Sequence, residues 1–355
     1  QPLLFTHYSL LPQPLNSTSM ILPHRELFKT LETILLKYGF DECKAFRIAS
    51  IFTDATLDGF HSHGVHRFPE FISRVENGYI NIHAEPVCEL ALGPFERWHG
   101  QLGPGPWAAW KSMERAIALA REHTLGMVAL QHNNHWMRGG TYGWQAANEG
   151  CIGICFSNTE PNMPPWGGKE PRTGNNPLII AVPHRDGHLV LDMAMSQFSY
   201  GKMKTYLREG KQLPFVGGFD KKGKPSSDPK SIIEAGLTMP IGYWKGAGLS
   251  FMLDVLAAML SGGLSTREVG MQPIEYGLSQ VFLAINTKHM HLASREYQLL
   301  REMIAYFEGT PAWDAQKPVT APGRQTHERR KQAIREGVQV DDAIWKTIAG
   351  FLKAH

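Results

Sequence analysis

Residues 59–68 read Gly-Phe-His-Ser-His-Gly-Val-His-Arg-Phe, which puts His61, His63 and His66 within six residues and Arg67 directly after them. The glycines at 59 and 64 let a ligand come close to the backbone, and imidazole is the side chain whose ordinary titration lies nearest neutrality. An imidazolium can protonate the alkoxide that develops as hydride reaches a carbonyl carbon, while arginine grips an adjacent carboxylate through two parallel hydrogen bonds. The segment therefore has the parts for reducing a 2-oxo acid, with His63 as the acid and Arg67 as the clamp. Two other readings stand beside this one. The imidazoles can be solvated members of a polar loop. Alternatively, His61, His63 and His66, with Asp192 as a carboxylate, can hold the metal of a hydrolase, although no second histidine-acid motif with ligand spacing follows downstream.

Asp192 ends the apolar run Leu189-Val190-Leu191, where a carboxylate can emerge from a rigid strand into a cleft and orient an imidazole, or simply cap a turn. Hydride chemistry calls for a nicotinamide cofactor, yet the Gly-x-Gly-x-x-Gly fingerprint of the Rossmann fold is absent. The nearest approaches, Gly103-Pro104-Gly105 and Gly246-Ala247-Gly248, each open an expected helix and could seat a phosphate at its N-terminus or act only as a helix start. Trp244 and Lys245 add a stacking surface and a cation before the second turn. Arg329, Arg330, Lys331 and Arg335 lie on one expected helix without interleaved aromatics and read as a solvated face.

The elements that must carry these residues follow from periodicity. Helices are expected from residue 27 to Gly39, from Asp41 to Asp58 and from Trp107 to His123, and strands from Gly126 to Leu130, over 151–157, over 178–183 and over 188–194. The last two strands join through Arg185-Asp186-Gly187, a hairpin signal. Residues 209–230 are rich in glycine, proline and lysine and read as a long exposed loop, a candidate lid. An apolar helix at 249–260 follows, then a strand at 281–285 and helices near 293–308, 326–336 and 341–354. At 355 residues the chain is about two domains long. The expected architecture is α+β. A β-rich domain (126–304) is inserted in a helical domain built from both chain ends (20–125 and 305–355), with residues 1–19 a tag or disordered extension.

With 43% hydrophobic and 19% charged residues the sequence is that of a globular protein, and 36 basic against 33 acidic residues give no one-signed field to attract nucleic acid or an anionic membrane. No apolar run is long enough to span a bilayer. The four cysteines, Cys43, Cys88, Cys151 and Cys155, are too few and too irregular for a disulfide framework and suit a reducing cytosol, so a cytoplasmic location is expected.

The strings SHGVHRFPEFISRVENG, NHWMRGGTYGWQAA, MPPWGGKE, NPLIIAVP, DMAMSQFSYG, KQLPFVGGFD and PIGYWKGAGLS resemble the malate/L-lactate dehydrogenase family of the second type, nearest to its 2,3-diketo-L-gulonate-reducing members. The similarity runs from Met20 almost to the C-terminus. It implies a non-Rossmann NAD(P)H-binding fold, with NADH ahead of NADPH, and a homodimer with no metal. His63 matches the family's proton donor, Arg67 its substrate-carboxylate ligand, and Asp192 the carboxylate paired with the catalytic imidazole. Substrate contacts are expected from Ser62, His135, Arg138 and Asn175 as well. Cofactor contacts are expected from His188, Leu189, Val190, Leu191, Asp192, Met193 and Ala194, from Trp244 and Lys245, and from Gly323, Arg324 and Gln325 after Pro322.

The implied reaction is hydride transfer to the keto group of a 2-oxo or 2,3-dioxo sugar acid such as 2,3-diketo-L-gulonate, the alternative within the family being a malate-, lactate- or ureidoglycolate-type dehydrogenase. A non-catalytic relative would not be expected to keep His63, Arg67 and Asp192 together. Two positions depart from the family pattern. Asn175 stands where Gly-Thr-Asn-Pro has threonine, and Pro322-Gly323-Arg324-Gln325 lacks the usual acidic group. Gaining Arg324 there is expected to relax discrimination against the extra phosphate of NADP.

Overall fold

Asp41 starts the second helix by accepting a hydrogen bond from the Lys44 N–H at 2.9 Å, and Asp341 caps the last helix through the Ala343 N–H at the same distance. Between these caps lies nearly the whole of the molecule, a computed structural model that describes residues 19–290 and 293–353. The chain runs β1 (Ser19–Leu22), α1 (His24–Lys37), α2 (Glu42–Leu57), a 3-10 turn at His61–His63, α3 (Phe68–Glu76), β2 (Val87–Leu92), β3 (Phe95–His99), α4 (Gly105–His123), β4 (Leu125–Asn133), α5 (Gly140–Asn148) and β5 (Cys151–Ser157). It continues through β6 (Leu178–Val182), β7 (Leu189–Met193), α6 (Tyr200–Arg208), β8 (Gly218–Phe219), β9 (Pro225–Ser226), α7 (Pro229–Ala235), α8 (Trp244–Ser261) and α9 (Thr266–Val269). The final elements are β10 (Leu278–Asn286), α10 (Ala293–Glu308), α11 (Arg324–Glu336), β11 (Val338–Asp341) and α12 (Asp342–Phe351).

A mixed, mainly antiparallel seven-stranded sheet, in the order β2-β3-β4-β10-β5-β6-β7, forms the centre, with β3 and β4 its one parallel pair. Strand β10 is paired on both sides and covered on both faces, Phe282 and Ala284 on one and Val281 on the other, which is why its sequence is apolar on both. Helices α4 and α5 cover one face of the sheet around Met113, Tyr142 and Phe282, and α8 covers the other through Leu253 and Ala257. A separate core is made from both chain ends: Leu27, Leu31, Ile48, Phe52 and Phe71 from the N-terminal helices pack with Val338, Val340 and Ile348, and β1 pairs with β11.

The structure redraws several boundaries. The sheet and its helix α4 reach back to Val87, so residues 87–125 supply two strands and a covering helix to the β-rich part, while Trp107 and Trp110 of α4 also pack on the helical core. Ser19 is paired with Asp341 and belongs to the fold, whereas residues 1–18 of the expected extension lie outside the described residues. Residues 209–230 are not one open loop. They contain β8, β9 and the start of α7, held by a small core of Phe198, Met203, Leu213 and Ile232.

Helix α5 was unexpected from sequence because Gly139, Gly140 and Gly143 depress helix propensity. They are there for close packing: a Cβ on Gly139 would meet Ile179 Cδ1 at 2.3 Å, and one on Gly143 would meet Ile179 Cγ2 at 2.7 Å. A Cβ on Gly140 would stand 2.4 Å from Asp192 Oδ2. Alanine in place of Gly140 gains up to about 1 kcal/mol of helix propensity but costs about 1–3 kcal/mol in displaced neighbours. Gly140→Ala is therefore expected to be destabilised on balance, read as a lower urea midpoint; a raised midpoint would show that Asp192 moves aside freely.

Candidate active site

The histidine segment is pinned against α2. A Cβ on Gly64 would collide with Thr56 Oγ1 at 2.4 Å, and that same hydroxyl accepts the Val65 N–H at 2.9 Å, so only glycine lets the segment fold back on the helix. Within it, the Ser62 hydroxyl lies 3.1 Å from His63 Nδ1. Ser62 is pressed from outside by α6, where a Cβ on Gly201 would lie 2.7 Å from Ser62 Cβ. The His63 ring stacks on His135, with centroids 5.9 Å apart and planes 21° apart. His135 Nδ1 accepts the Met137 N–H at 3.0 Å, so a neutral His135 carries its proton on Nε2 and is a donor there.

Arg67 stands at the start of α3 with Nη1 on Glu70 at 2.7 Å, and its Nε and Nη2 make no hydrogen bond among the described residues. Arg74 takes the other Glu70 oxygen at 3.0 Å and donates to the Glu275 carbonyl at 2.7 Å. Arg67, Arg74, Asn134, His135 and Met137 line one narrow cavity. Arg67 thus keeps its Nε and Nη2 hydrogens without a partner among the described residues.

The expected pairing of Asp192 with His63 is not a hydrogen bond in the structure. Asp192 Oδ2 instead accepts from Arg138 Nε and from the Gly140 N–H, both at 3.1 Å, and reaches His63 only through its charge. Arg138, also expected as a substrate contact, has a buried guanidinium that bridges Asp192 and Asp58 and lies 3.9 Å over the Phe60 ring. Burial pushes His63 down to about 4; the Asp192 charge opposes this, and Arg67 and Arg138 reinforce it. Burial also holds His135 well below its ordinary range, with Arg67, His63 and Arg74 adding to the effect. His61 and His66, also pushed to about 4 by burial, stack edgewise with centroids 5.4 Å apart. Among the described residues no three histidine, cysteine, aspartate or glutamate side chains are grouped to hold a metal, so the hydrolase alternative has no centre there.

The expected cofactor segments come together. Strand β7 is an edge strand, and its Val190 N–H donates to the Pro322 carbonyl at 3.1 Å. Gly323, at φ +94°, lies so close that a Cβ would meet Val190 N at 2.8 Å and the His188 carbonyl at 2.9 Å. Beyond β7, the Met195 N–H donates to the Asn175 carbonyl at 2.8 Å and the Met195 carbonyl accepts from Ile241 at 2.9 Å, which brings in the loop leading to exposed Trp244 and Lys245. Helix α8 begins at Trp244, so Gly246 and Gly248 lie inside its first turns. A Cβ on Gly246 would meet the Ile241 carbonyl at 2.2 Å, and one on Gly105 the His135 carbonyl at 2.3 Å, so close backbone packing accounts for both glycines.

Leu189, Leu191, Met193 and Ala194 are at least partly exposed, whereas the His188 ring is committed to the His184 N–H and to Asn148. Gln325 donates to Thr320 Oγ1 at 3.1 Å. Arg324 does not stand free: its Nε is 2.9 Å from Glu308, which supplies an acidic group beside the turn after all. The buried Ser196 hydroxyl and Trp144 Nε1 lack partners among the described residues, and together with the edge strand they fit a nicotinamide dinucleotide lying along β7. Asn175 Oδ1 accepts from Thr159 Oγ1 at 3.0 Å and Asn162 Nδ2 at 3.2 Å, which leaves its amide nitrogen as the group available to a ligand.

Sequence reasoning missed Asp58, Glu70, Arg74 and Glu275. Asp58 carried one legible signal: a carboxylate at a helix C-terminus opposes the macrodipole and demands a compensating cation.

Residues 22–349 match the family model described as malate/L-lactate dehydrogenase. The chain is 41% identical over 324 residues, covering 91% of itself and 97% of the relative, to the 2,3-diketo-L-gulonate reductase of Escherichia coli K12. Among solved structures it resembles sulfolactate dehydrogenase from Methanocaldococcus jannaschii, with a TM-score of 0.86, 29% identity, and 94% and 97% of the two chains covered. The malate dehydrogenase of Entamoeba histolytica shares its fold with a TM-score of 0.90 at 24% identity, over 95% and 98% of the two chains. The chain belongs to the malate/L-lactate dehydrogenase family of oxidoreductases.

Proposed function

We propose that the chain reduces the keto group of a 2-oxo or 2,3-dioxo acid, of sugar-acid type such as 2,3-diketo-L-gulonate, using NAD(P)H. The carrying observation is the stacked His63–His135 pair beside the unpaired nitrogens of Arg67. A dinucleotide held along β7 by Leu189 to Ala194, the Trp244-Lys245 corner and the Gly323 to Gln325 turn supplies hydride when bound. Arg67 takes the substrate carboxylate through Nε and Nη2, and His135 Nε2–H donates to the keto oxygen. His63, with Nδ1 engaged by Ser62, delivers the proton from Nε2. In the free protein His63 is neutral near pH 7. A substrate carboxylate offsets Arg67, one of the charges that depress it, so substrate binding raises its proton affinity at the moment a proton is needed.

Asn175 offers a donor where the family pattern has a hydroxyl, which favours an acceptor oxygen on the substrate tail. With Arg324 paired to Glu308, the turn after Pro322 keeps the acidic group that disfavours a 2′-phosphate, so NADH is the preferred form. A homodimer is supported by exposed apolar side chains on two helices: Phe251, Met252 and Met259 on α8, and Met303, Tyr306 and Phe307 on α10. No helix among the described residues is long and apolar enough to cross a membrane. The four free cysteines support a cytoplasmic setting.

The test is loss of NADH or NADPH absorbance with 2,3-diketo-L-gulonate, pyruvate, oxaloacetate and other 2-oxo acids, run on the wild type and on Asn175→Thr. Turnover of a sugar-derived acid with NADH, and a change in kcat/KM among substrates rather than a uniform loss in the variant, is expected. Turnover confined to pyruvate or oxaloacetate would favour the malate- or lactate-type alternative. Cofactor binding without turnover of any acid would refute the reading.

A further inference from the structure

The buried charges behind His63 form a continuous chain that the reaction scheme does not use. Asp58, 1% exposed at the end of α2, accepts from Arg138 through Oδ2 and from Arg330 Nε of α11 at 2.5 Å through Oδ1. Arg330 Nη1 also reaches Asp54 at 3.1 Å, and Arg138 Nε reaches Asp192 at 3.1 Å. The order is Arg330, Asp58, Arg138, Asp192. It joins helix α11 to the end of α2, to the turn before α5 and to the sheet edge, and Arg138 also stacks on Phe60 immediately before the 3-10 turn that carries His63. Because Arg138 shares its charge between two carboxylates, Asp192 is only partly neutralised.

We propose that Asp58 is a positioning residue for the reduction: by holding one side of Arg138 it keeps Asp192 from being fully cancelled, so that Asp192 can stabilise the protonated form of His63, while Arg330 trims the strength of that hold from α11. The proposal rests on the reading of His63 as the proton donor. The charged and titratable groups facing His63 from the packed elements are Arg67 on α3, Asp192 on β7, and Arg138 and His135 after β4. Of these, Arg138 alone is bonded to both Asp58 and Asp192.

The consequence is a pair of opposite shifts. Removing the negative charge of Asp58 leaves Arg138 to Asp192 alone and weakens proton binding at His63. Removing the positive charge of Arg330, whose side chain is one-third exposed, leaves Asp58 less neutralised and strengthens it. Both act on His63 through one or two intervening charges in a partly buried setting, where a shift of the order of one pH unit, or about tenfold in the protonated fraction, is expected.

The experiment is ring-nitrogen NMR titration of His63 in ¹⁵N-histidine-labelled full-length protein without substrate, its signal assigned by loss in His63→Gln. It is paired with the pH dependence of kcat/KM for NADH-driven reduction. Asp58→Asn is expected to move the His63 midpoint and the kinetic limb to lower pH, and Arg330→Gln to higher pH. If Asp58→Asn does not fold, Arg330→Gln alone carries the test. Unchanged midpoints in a folded variant, or a shift in the wrong direction, would overturn the proposal. The NMR arm needs no turnover, so a wild type that reduces no acid would refute the assigned reaction and leave the measured coupling to stand or fall by itself.

Discussion

His63→Ala is expected to lower kcat for keto-acid reduction by about 10²–10⁴-fold, the range for losing a positioned general acid, while NADH still quenches protein fluorescence with little change in affinity. The two halves of this expectation come from different parts of the structure. His63 is held on a 3-10 turn against α2, and its Nε2 faces the site because Nδ1 is taken by Ser62. The proposed cofactor segments are on β7, at the start of α8 and after Pro322, and none depends on His63 for a hydrogen bond. His135 remains in the variant as a donor on Nε2 and can polarise the keto oxygen, but its own surroundings of Arg67, Arg74 and burial make it a poor source of a proton. The residual rate should therefore lose its dependence on the His63 titration rather than vanish. A variant that kept more than about a tenth of the wild-type kcat would move the proton donor elsewhere, with His135 next in line by position.

Much of this site was legible in the sequence because it is local. Ser62, His63 and Arg67 sit on one short segment that begins at Gly59, and the proposed donor acid and carboxylate clamp are read from residue type and spacing there. The Leu189-to-Asp192 strand was also legible, since its apolar run ends on a carboxylate. What was not legible is which atom bonds to which across the fold. The sequence offers Asp192 to His63, but the strand register places its oxygen against Gly140 and Arg138 instead. Asp58 and Arg330 are 272 residues apart and meet only because α11 crosses the end of α2. Helix α5 was hidden for the same reason: its glycines answer to contacts with Ile179 and Asp192 rather than to local helix propensity. Tertiary contact also explains the boundary shift at Val87. Residues 87–99 carry charged and aromatic side chains on an edge hairpin and show too little apolar alternation to be read as sheet, yet β3 pairs in parallel with β4 and β2 pairs in turn with β3.

The same buried imidazoles make the protein's stability fall steeply on mild acidification. His61, His63 and His66 all titrate near pH 4 in the folded chain and near their ordinary value of about 6.5 when unfolded. Between those limits the unfolded state binds more protons, so stability is full above pH 6.5 and is lost progressively as pH falls toward 4. Each such proton is worth about 1.4 kcal/mol per pH unit. The three rings are partly exposed, which reduces the full sum, but several kcal/mol remain, a large share of a typical domain's margin. Asp54 and Glu275, whose carboxyls burial raises, oppose the loss without matching it in number. Urea midpoints measured from pH 7.5 down to 4.5 should fall continuously, and His66→Gln, which replaces a ring whose buried Nε2 has no partner among the described residues, should flatten the slope by roughly one proton. A midpoint that stays level across that range would mean that these rings are solvated and protonate freely. The low proton affinity of His63, on which the substrate-triggered protonation depends, would then be lost as well. In the proposed reaction, fold stability and catalysis are thus set by the same desolvation: a pocket wet enough to be acid-stable would hold His63 partly charged before any substrate arrived.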